Sequence, residues 1–252
     1  MGVFAGTFRI MSSYATKMIM TESVELVKEK EQFKVIFKEE NILEFDAFIT
    51  GPEDSVYRHK LLKLRFHVPE RYPMVPPKVT FIQHTGGRIH PNLYVEGKVC
   101  LSILGTWPGD PWSASFNIYT ILASIRGLLD FEPYRHEPGS EDDPNYNKFV
   151  QFVTWRALLL DHVDRETEQP SKDFINEFLR EHATGIIEDI EAEKELNKDV
   201  PYMSNPYSEW VFKPDYDRLL REMKGVIAAA NAAADAAPDA ATDAAADAAA
   251  NA

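Results

Sequence analysis

Cysteine is almost absent from the sequence, whose 252 residues include only Cys100. A disulfide within the chain is therefore impossible, and a lone thiol is typical of a reducing compartment, so we expect the cytoplasm or the nucleus. Long apolar runs are also missing, and no stretch reaches the roughly 20 residues of a membrane-spanning helix. The start, Met1 to Ile10, has no basic flank before its short apolar stretch, which argues against a signal peptide. We therefore expect no membrane association.

Positive charge is scarce too, with 27 Lys and Arg residues against 40 Asp and Glu residues and a formal net charge of -13. An acidic chain without a Lys/Arg run repels phosphate backbones, so a nucleic-acid partner is not expected. The hydrophobic fraction of 44% and the charged fraction of 27% are ordinary for a globular protein. The length exceeds one average domain of roughly 150 residues and falls short of two.

Four short strands are predicted in the first part of the chain. Apolar alternation and turn signals place them at residues 33–37, 44–50, 61–68 and 79–82. The fourth strand follows a proline-rich, extended approach at Tyr72–Pro77. Residues 83–115 show little regular pattern, and so long a loop in a compact domain is usually functional.

Helices follow the strands, an order typical of an α+β fold. The spacing of apolar residues predicts a helix over Ile118–Leu129, with Asn117 as its N-cap. Further helices are predicted at 145–162, at Ser171–Asn197 with Ser171 as the cap, and at Asp215–Val226.

Composition divides the chain into a core domain at residues 1–160, an acidic helical extension at 161–227 and an Ala/Asp tail at 228–252. The acidic residues of the extension are interpreted as a solvated helix face rather than as a surface that steers a basic partner. In the tail, polar residues recur at every fourth position and Pro238 interrupts the alanines. We favour a low-complexity tail without fixed structure over a helix that docks on a partner.

Cys100 and the turn His90-Pro91-Asn92 are the candidate residues for chemistry. A lone cysteine is more often a small buried hydrophobe, and a turn of this kind is often only a stiffened loop. Cys100, however, lies in the irregular stretch rather than on the apolar face of a helix, and His90 precedes it by ten residues. This setting favours a chemical role over a packing role.

Several motifs in a fixed order resemble the ubiquitin-conjugating enzyme family over roughly residues 30 to 160. They are Gly51-Pro52, Tyr72-Pro73 with Pro76-Pro77-Lys78-Val79, His90-Pro91-Asn92, Cys100, and Trp112-Ser113 before an amphipathic helix. The runs Gly97–Trp107 and Glu132–Gly139 and the helical extension are similar to the large Z-type members. The resemblance implies the ubiquitin-conjugating (UBC) fold, a four-stranded antiparallel meander with flanking helices, here with a helical C-terminal extension.

The same resemblance implies an acyltransferase. Ubiquitin, or a ubiquitin-like protein, would be received from an activating enzyme as a thioester on Cys100 and passed to a substrate lysine or to a ligase. The activating enzyme would use ATP, so neither a bound cofactor nor a metal ion is expected in this chain. The implied partners are the modifier, the activating enzyme, a ligase and protein substrates.

Other site residues follow from matching positions in the family. Asn92 matches an asparagine that stabilises the tetrahedral oxyanion or orders the loop that does so, and a bond to the turn backbone alone is the alternative. His90 matches a largely structural histidine. Glu137 matches a gate residue that orients and deprotonates the incoming lysine, although His136 is a neighbouring possibility and an exposed loop charge is the simpler alternative. Tyr134 is a further candidate for lining the groove.

Four places depart from the family pattern, one of which is Trp112-Ser113-Ala114-Ser115 in place of the usual Trp-Ser-Pro-Ala. Trp112 follows Cys100 by twelve residues instead of eight. His59-Lys60 replaces a Gly-Gly pair, and the first helix, expected at Phe8–Met20, has few basic residues. These departures leave open which activating enzyme and which ligases the chain uses.

Two other functions remain open. The same fold can serve as a ubiquitin-binding scaffold without catalysis, but such relatives characteristically lack the cysteine, so Cys100 together with Asn92 favours an active carrier. The modifier can also be a ubiquitin-like protein, because the contacts that select it are spread over the surface.

Overall fold

The computed structural model describes residues 13–236. These residues form two compact units, which are the core unit (13–159 with 203–212) and the helical unit (160–202 with 213–236). Residues 203–212, which the sequence prediction included in the C-terminal extension, thus belong to the core unit. In this part of the chain no helix is long and apolar enough to cross a membrane.

An antiparallel meander forms the sheet of the core unit. Its strands, in spatial as in chain order, are β1 (Phe33–Lys38), β2 (Asn41–Thr50), β3 (Leu61–His67) and β4 (Lys78–Ile82). Phe45 and Phe66 are paired across β2 and β3, and their rings stack with centroids 4.8 Å apart. The α+β class with a four-stranded antiparallel meander is confirmed, although β2 begins three residues before its predicted start.

The first described helix ends later in the chain than predicted. Helix α1 spans Tyr14–Leu26, because the Ser13 hydroxyl accepts a hydrogen bond from the Thr16 N–H at 3.1 Å and so caps the helix there. The part of the helix expected at Phe8–Met20 that lies within the described residues is thus helical from Tyr14 onward and continues six residues past Met20, while residues 8–12 lie outside the described range.

Helix α2 spans Ile118–Arg126 and carries the predicted cap. The Asn117 side chain accepts from the Thr120 N–H at 2.9 Å, and the Thr120 hydroxyl faces the Asn117 N–H at 3.4 Å, which completes a capping box. Helix α3 spans Pro144–Trp155 and passes without a break into a π-helical turn at Arg156–Leu160, so the helix predicted at 145–162 is confirmed apart from that wider turn.

The helical unit contains α4 (Asp161–Arg165), α5 (Gln169–Glu181), α6 (Ala183–Leu196) and α7 (Tyr216–Asp235). The single helix predicted at Ser171–Asn197 is wrong. It is broken at His182, whose φ of -103° and ψ of 8° are not helical, and the poor helix former Gly185 follows in the first turn of α6. Ser171 is buried inside α5 rather than capping it, because that helix begins two residues earlier.

Helix α7 continues through residues 228–235, for which the sequence predicted no fixed structure. Asp215 caps it by accepting from the Arg218 N–H at 2.9 Å. Once such a helix is nucleated, alanine extends it at little cost, and Ile227 and Ala230 bury one side. The rest of the predicted tail, residues 237–252, lies outside the described residues.

A buried carboxylate, Glu22 on α1, joins three parts of the core unit. Its oxygens accept hydrogen bonds from the Tyr72 hydroxyl at 2.7 and 2.8 Å and from the Ile118 N–H at 2.9 Å. Ile118 opens α2, so the carboxylate satisfies a donor that has no partner within its own helix. Burial opposes ionisation and raises the pKa of Glu22 above its ordinary value of 4.5.

We expect Glu22→Ala to destabilise the chain by about 2–4 kcal/mol, because the Tyr72 hydroxyl and the Ile118 N–H would stay buried without an acceptor. Urea unfolding followed by tryptophan fluorescence measures this loss. Glu22→Gln, the matched control, keeps an acceptor oxygen and should lose less. A Glu22→Ala midpoint equal to that of the parent chain would show that this carboxylate does not hold the three segments together.

Candidate active site

The loop between β4 and Cys100 is tied back to the strand that precedes it. The Phe81 N–H donates to the Gly97 carbonyl at 2.8 Å, and Thr80 forms an antiparallel bridge with Lys98. Gly97 has a φ of +97°, and a Cβ there would lie 2.6 Å from Thr80 Cγ2. Glycine is therefore required at this crossing, and the crossing sets where the chain enters Cys100.

Cys100 and Asn92 face each other through two reciprocal hydrogen bonds. The Cys100 N–H donates to the Asn92 carbonyl at 2.8 Å, and the Asn92 Nδ2 donates to the Cys100 carbonyl at 3.0 Å. Cys100 is 1% exposed, a burial that an ordinary core thiol would share. It nevertheless lies on a loop, as the sequence predicted, and its backbone is fixed by the asparagine that the sequence also selected.

His90 is buried and has both ring nitrogens occupied. Its Nδ1 accepts from the Asn92 N–H at 3.0 Å, so Nε2 carries the proton and donates to the Leu128 carbonyl at 3.0 Å. Burial is the main cause that lowers the pKa of His90 to about 3, with the nearby His136 ring adding to it. A neutral ring without a free nitrogen suits a structural role and not a general base.

The segment after Cys100 is folded into a short turn. A 3-10 helix at Ser102–Leu104 ends at Gly105, whose φ is +69°. The Thr106 hydroxyl then donates to the Val99 carbonyl at 2.5 Å and accepts from the Leu101 N–H at 3.0 Å. Thr106 therefore links the two sides of the cysteine, although no local pattern in the sequence singles it out within its run.

Trp112 closes the longer loop that follows. Its Nε1 donates to the Pro73 carbonyl at 2.6 Å, and its ring centroid lies 6.1 Å from that of Tyr72 and 5.8 Å from that of Phe116. The tryptophan is thus anchored on the proline-rich loop even though four more residues than usual separate it from Cys100. Those residues form an exposed turn, in which Gly109 has a φ of +138°.

The side chains of Glu137 and His136 form hydrogen bonds with different residues. Glu137 follows a 3-10 helix at Pro133–His136, and its Oε2 accepts from the Tyr207 hydroxyl at 2.6 Å. The His136 Nε2 lies 2.9 Å from Asp130 Oδ2, and the His136 ring centroid is 4.9 Å from that of His90. Of the two neighbouring candidates, His136 therefore contacts the His90 side of the site.

The structure brings together His90, Asn92 and Cys100 by direct hydrogen bonds. No hydrogen bond joins Glu137 to Asn92 or Cys100 within residues 13–236, although the neighbouring His136 ring lies against that of His90. Tyr134 lies in an aromatic cluster, with its centroid 5.3 Å from Tyr146 and 6.0 Å from Tyr207. Over the same described range no group of three or more His, Cys, Asp or Glu side chains is placed to hold a metal ion.

Besides Thr106, Tyr207 and Arg88 are site residues that sequence reasoning missed. Tyr207 lies 70 positions beyond Glu137, so no local pattern could link the two. Arg88 precedes the His90 turn by two residues, and its guanidinium donates to the Pro91 carbonyl. Its position two residues before the His90-Pro91-Asn92 motif was the one feature of the sequence that could have identified Arg88.

The comparisons with known proteins agree with this geometry. The chain is 33% identical over 195 residues to "Ubiquitin-conjugating enzyme E2 Z" of Danio rerio, which covers 71% of this chain and 57% of that protein. The Homo sapiens protein of the same name is 40% identical over 133 residues, covering 49% of this chain and 37% of that protein. A "Ubiquitin-conjugating enzyme E2" of African swine fever virus (strain Badajoz 1971 Vero-adapted) is 36% identical over 141 residues, or 54% of this chain and 64% of that protein. The chain thus aligns with only part of the length of each relative.

A family model described as "Ubiquitin-conjugating enzyme" matches residues 18–150, which include all four strands of the meander, the His90 turn, Cys100 and Glu137. This match covers more than half of the chain, and Z-type proteins are among its curated relatives, as the sequence motifs predicted. The chain belongs to the ubiquitin-conjugating enzyme family.

Proposed function

We propose that the chain is an active carrier of ubiquitin or of a ubiquitin-like protein. The Cys100 Sγ attacks the thioester carbonyl at the modifier's C-terminus on the activating enzyme, a new thioester forms, and the activating enzyme's thiol leaves. A substrate lysine amine, or a ligase cysteine, then attacks the carbonyl and releases the Cys100 thiol. The observation that carries this proposal is the reciprocal hydrogen bonding that holds the only cysteine of the chain against Asn92.

The described residues supply no dedicated base for the thiol. No side chain hydrogen-bonds the Cys100 sulfur within residues 13–236, and both nitrogens of His90 are occupied. We infer that Cys100 is only modestly activated and that the energy of the thioester, derived from ATP used by the activating enzyme, drives transfer. Neither a cofactor nor a metal ion takes part on this chain in the proposed reaction.

Asn92 combines the two roles that the resemblance implied. One N–H of its amide is bonded to the Cys100 carbonyl, which supports the role of ordering the loop. The same Nδ2 carries a second hydrogen, which has the chemistry to stabilise a tetrahedral oxyanion at the neighbouring sulfur. Glu137 is proposed to orient the incoming lysine and accept its proton.

Partner surfaces and location follow from the proposed activity. Met74, on the proline-rich loop, is 67% exposed and has the adaptable side chain of a small docking residue for a ligase. A free thiol that forms thioesters requires a reducing compartment, so the cytoplasm or the nucleus is proposed as the location.

A charging assay tests the function. The chain, ubiquitin, an activating enzyme and ATP should yield an adduct of one ubiquitin that thiol reductant removes. Cys100→Ala should give no adduct, and any adduct of Cys100→Ser should resist the reductant because it is an oxyester. If no adduct forms after ubiquitin-like proteins and a second activating enzyme have been tried, the scaffold function takes the place of this proposal.

Asn92→Ala should still accept the modifier but should discharge it to free lysine about 100-fold more slowly, because a positioned amide donor is lost from the tetrahedral intermediate. A single-turnover discharge assay, started from purified thioester, measures the rate. Asn41→Ala, which removes an exposed amide side chain at the start of β2, serves as the matched control. Normal lysine discharge by Asn92→Ala would exclude the oxyanion role.

His90 should make the chain sensitive to acid. Its pKa is about 3 in the folded chain and about 6.5 when unfolded, so the unfolded chain takes up a proton that the folded chain does not. The stability contributed by this lowered pKa is present above pH 6.5 and is lost as pH falls towards 3, amounting to about 2 kcal/mol by pH 5. Urea unfolding at pH 7 and pH 5 measures the loss.

His90→Asn should flatten this pH dependence, while His84→Asn, which changes an exposed histidine of the same loop, should leave it unchanged. If the pH dependence of His90→Asn matched that of the parent chain, His90 would not be the group that remains neutral.

A further inference from the structure

A small hairpin returns from the C-terminal part of the chain to the core unit. Its strands are β5 (Met203–Ser204) and β6 (Val211–Phe212), which pair antiparallel, and we call residues 203–212 the Tyr207 hairpin. Met203 is buried, and the Phe212 ring lies with its centroid 6.0 Å from Phe149 and 5.5 Å from Phe152 on α3. The base of the hairpin is therefore anchored by apolar contacts of the core unit itself.

The turn of the Tyr207 hairpin is held by hydrogen bonds of the Asn205 side chain. The Asn205 side chain, which is buried, accepts from the Tyr207 N–H at 2.8 Å and donates to the Arg88 carbonyl at 3.4 Å. Gly87 has a φ of +71°, and a Cβ there would lie 2.9 Å from Asn205 Nδ2. The loop before the His90 turn thus accommodates the hairpin closely, and the contact fixes where Tyr207 is presented.

Tyr207 makes two polar contacts with this region. Its hydroxyl donates to Glu137 Oε2 at 2.6 Å, and its ring faces the Arg88 guanidinium, with the centroid 4.1 Å from Cζ. The same guanidinium lies 3.8 Å from the centroid of Tyr94, and Arg88 also donates to the Pro91 carbonyl. One side chain therefore contacts both the proposed gate carboxylate and the arginine that holds the turn before Asn92.

The hydrogen bond between the Tyr207 hydroxyl and the Glu137 carboxylate holds that carboxylate in one orientation. Burial, and then the hydrogen bond to Glu137, raise the pKa of Tyr207 well above its ordinary value, so the phenol remains a donor at neutral pH. A hydrogen bond from a neutral donor to a carboxylate is short and strong, and it restricts rotation of the acid. Because Tyr207 contacts only Oε2, the other oxygen, Oε1, has no hydrogen-bond donor among residues 13–236 and can receive an amine.

We propose that Tyr207 is a positioning residue for the transfer of the modifier to lysine. It orients the Glu137 carboxylate towards the incoming amine and, through Arg88, steadies the His90-Pro91-Asn92 turn. This inference rests on the proposed function, and it assigns to the C-terminal part of the chain a role in the second half of the reaction. Tyr207 itself touches none of the reacting atoms.

Tyr207→Phe separates the hydrogen bond to Glu137 from the ring contact with Arg88. The phenylalanine ring keeps its stacking on Arg88 and in the aromatic cluster, but it cannot donate to Glu137. Charging of Cys100 should stay within about twofold, whereas discharge to free lysine should slow by about tenfold, the factor expected for one hydrogen bond to a charged group. Because the gate acts on the bound amine, the slowing should persist at saturating lysine, and discharge to free cysteine should be unchanged.

Two controls distinguish positioning from general loosening of the fold. Tyr202→Phe, at an exposed tyrosine shortly before the hairpin, should discharge at the parent rate. The urea midpoint of Tyr207→Phe should equal that of the parent chain within error. If Tyr207 served only packing, the isosteric variant would leave lysine discharge at the parent rate, and the inference would be overturned.

A double-mutant cycle tests whether Tyr207 affects lysine discharge through Glu137. Glu137→Gln should itself slow lysine discharge, and adding Tyr207→Phe should cause no further slowing, because the phenol would act through a carboxylate that is already gone. Independent, multiplying effects of the two substitutions would overturn the proposed route through Glu137.

The outcomes also separate this inference from the proposed function. If the parent chain forms no thioester with any modifier, the proposed function fails and the inference fails with it. If the parent charges on Cys100 but Tyr207→Phe transfers to lysine at the parent rate, only the role of Tyr207 is overturned.

Discussion

A single run of hydrogen bonds connects the end of α2 to Cys100, and the candidate active site depends on it. The run leads from the Leu128 carbonyl through the His90 ring to the Asn92 backbone, and from the Asn92 amide to the Cys100 carbonyl. Each bond contributes only about 1 kcal/mol net, but bonds in series inside a protein strengthen one another. At the other end of α2, the Glu22 carboxylate of α1 accepts from the Ile118 N–H, so both ends of this helical segment are tied to other parts of the core unit.

The two steps of the proposed reaction, loading of Cys100 and transfer to lysine, differ in the ionisable side chains available to them. Around the nucleophile, His90 is kept neutral by burial and has no nitrogen free for proton transfer. On the acceptor side, Glu137 is held by the Tyr207 phenol on a half-exposed loop. In the proposed reaction, such a site accepts an already activated acyl group with little help, and its acid–base chemistry acts on the amine. This division suits a carrier that must hold a thioester until the correct acceptor arrives.

The loop between Cys100 and Trp112 is held at both of its ends. Thr106 joins the two sides of Cys100, and Trp112 keeps its hydrogen bond to the proline-rich loop, so the extra residues are confined to an exposed turn. The Tyr207 hairpin comes from a distant part of the chain and contacts Glu137 and Arg88. The meander and the His90–Asn92–Cys100 run both lie within the residues that the family model matches.

The sequence by itself determined those features that depend on neighbouring residues. Apolar alternation located the strands, the Asn117 side chain located the start of α2, and the spacing of His90, Asn92 and Cys100 selected residues that the structure joins by hydrogen bonds. Only the tertiary structure decided the break at His182, the continuation of α7 past residue 228, the burial of Glu22 and the contact of Tyr207 with Glu137. The physical reason is that propensity and capping act over three or four residues, whereas a partner 50 or 70 positions away is chosen by how the whole chain closes around its apolar core.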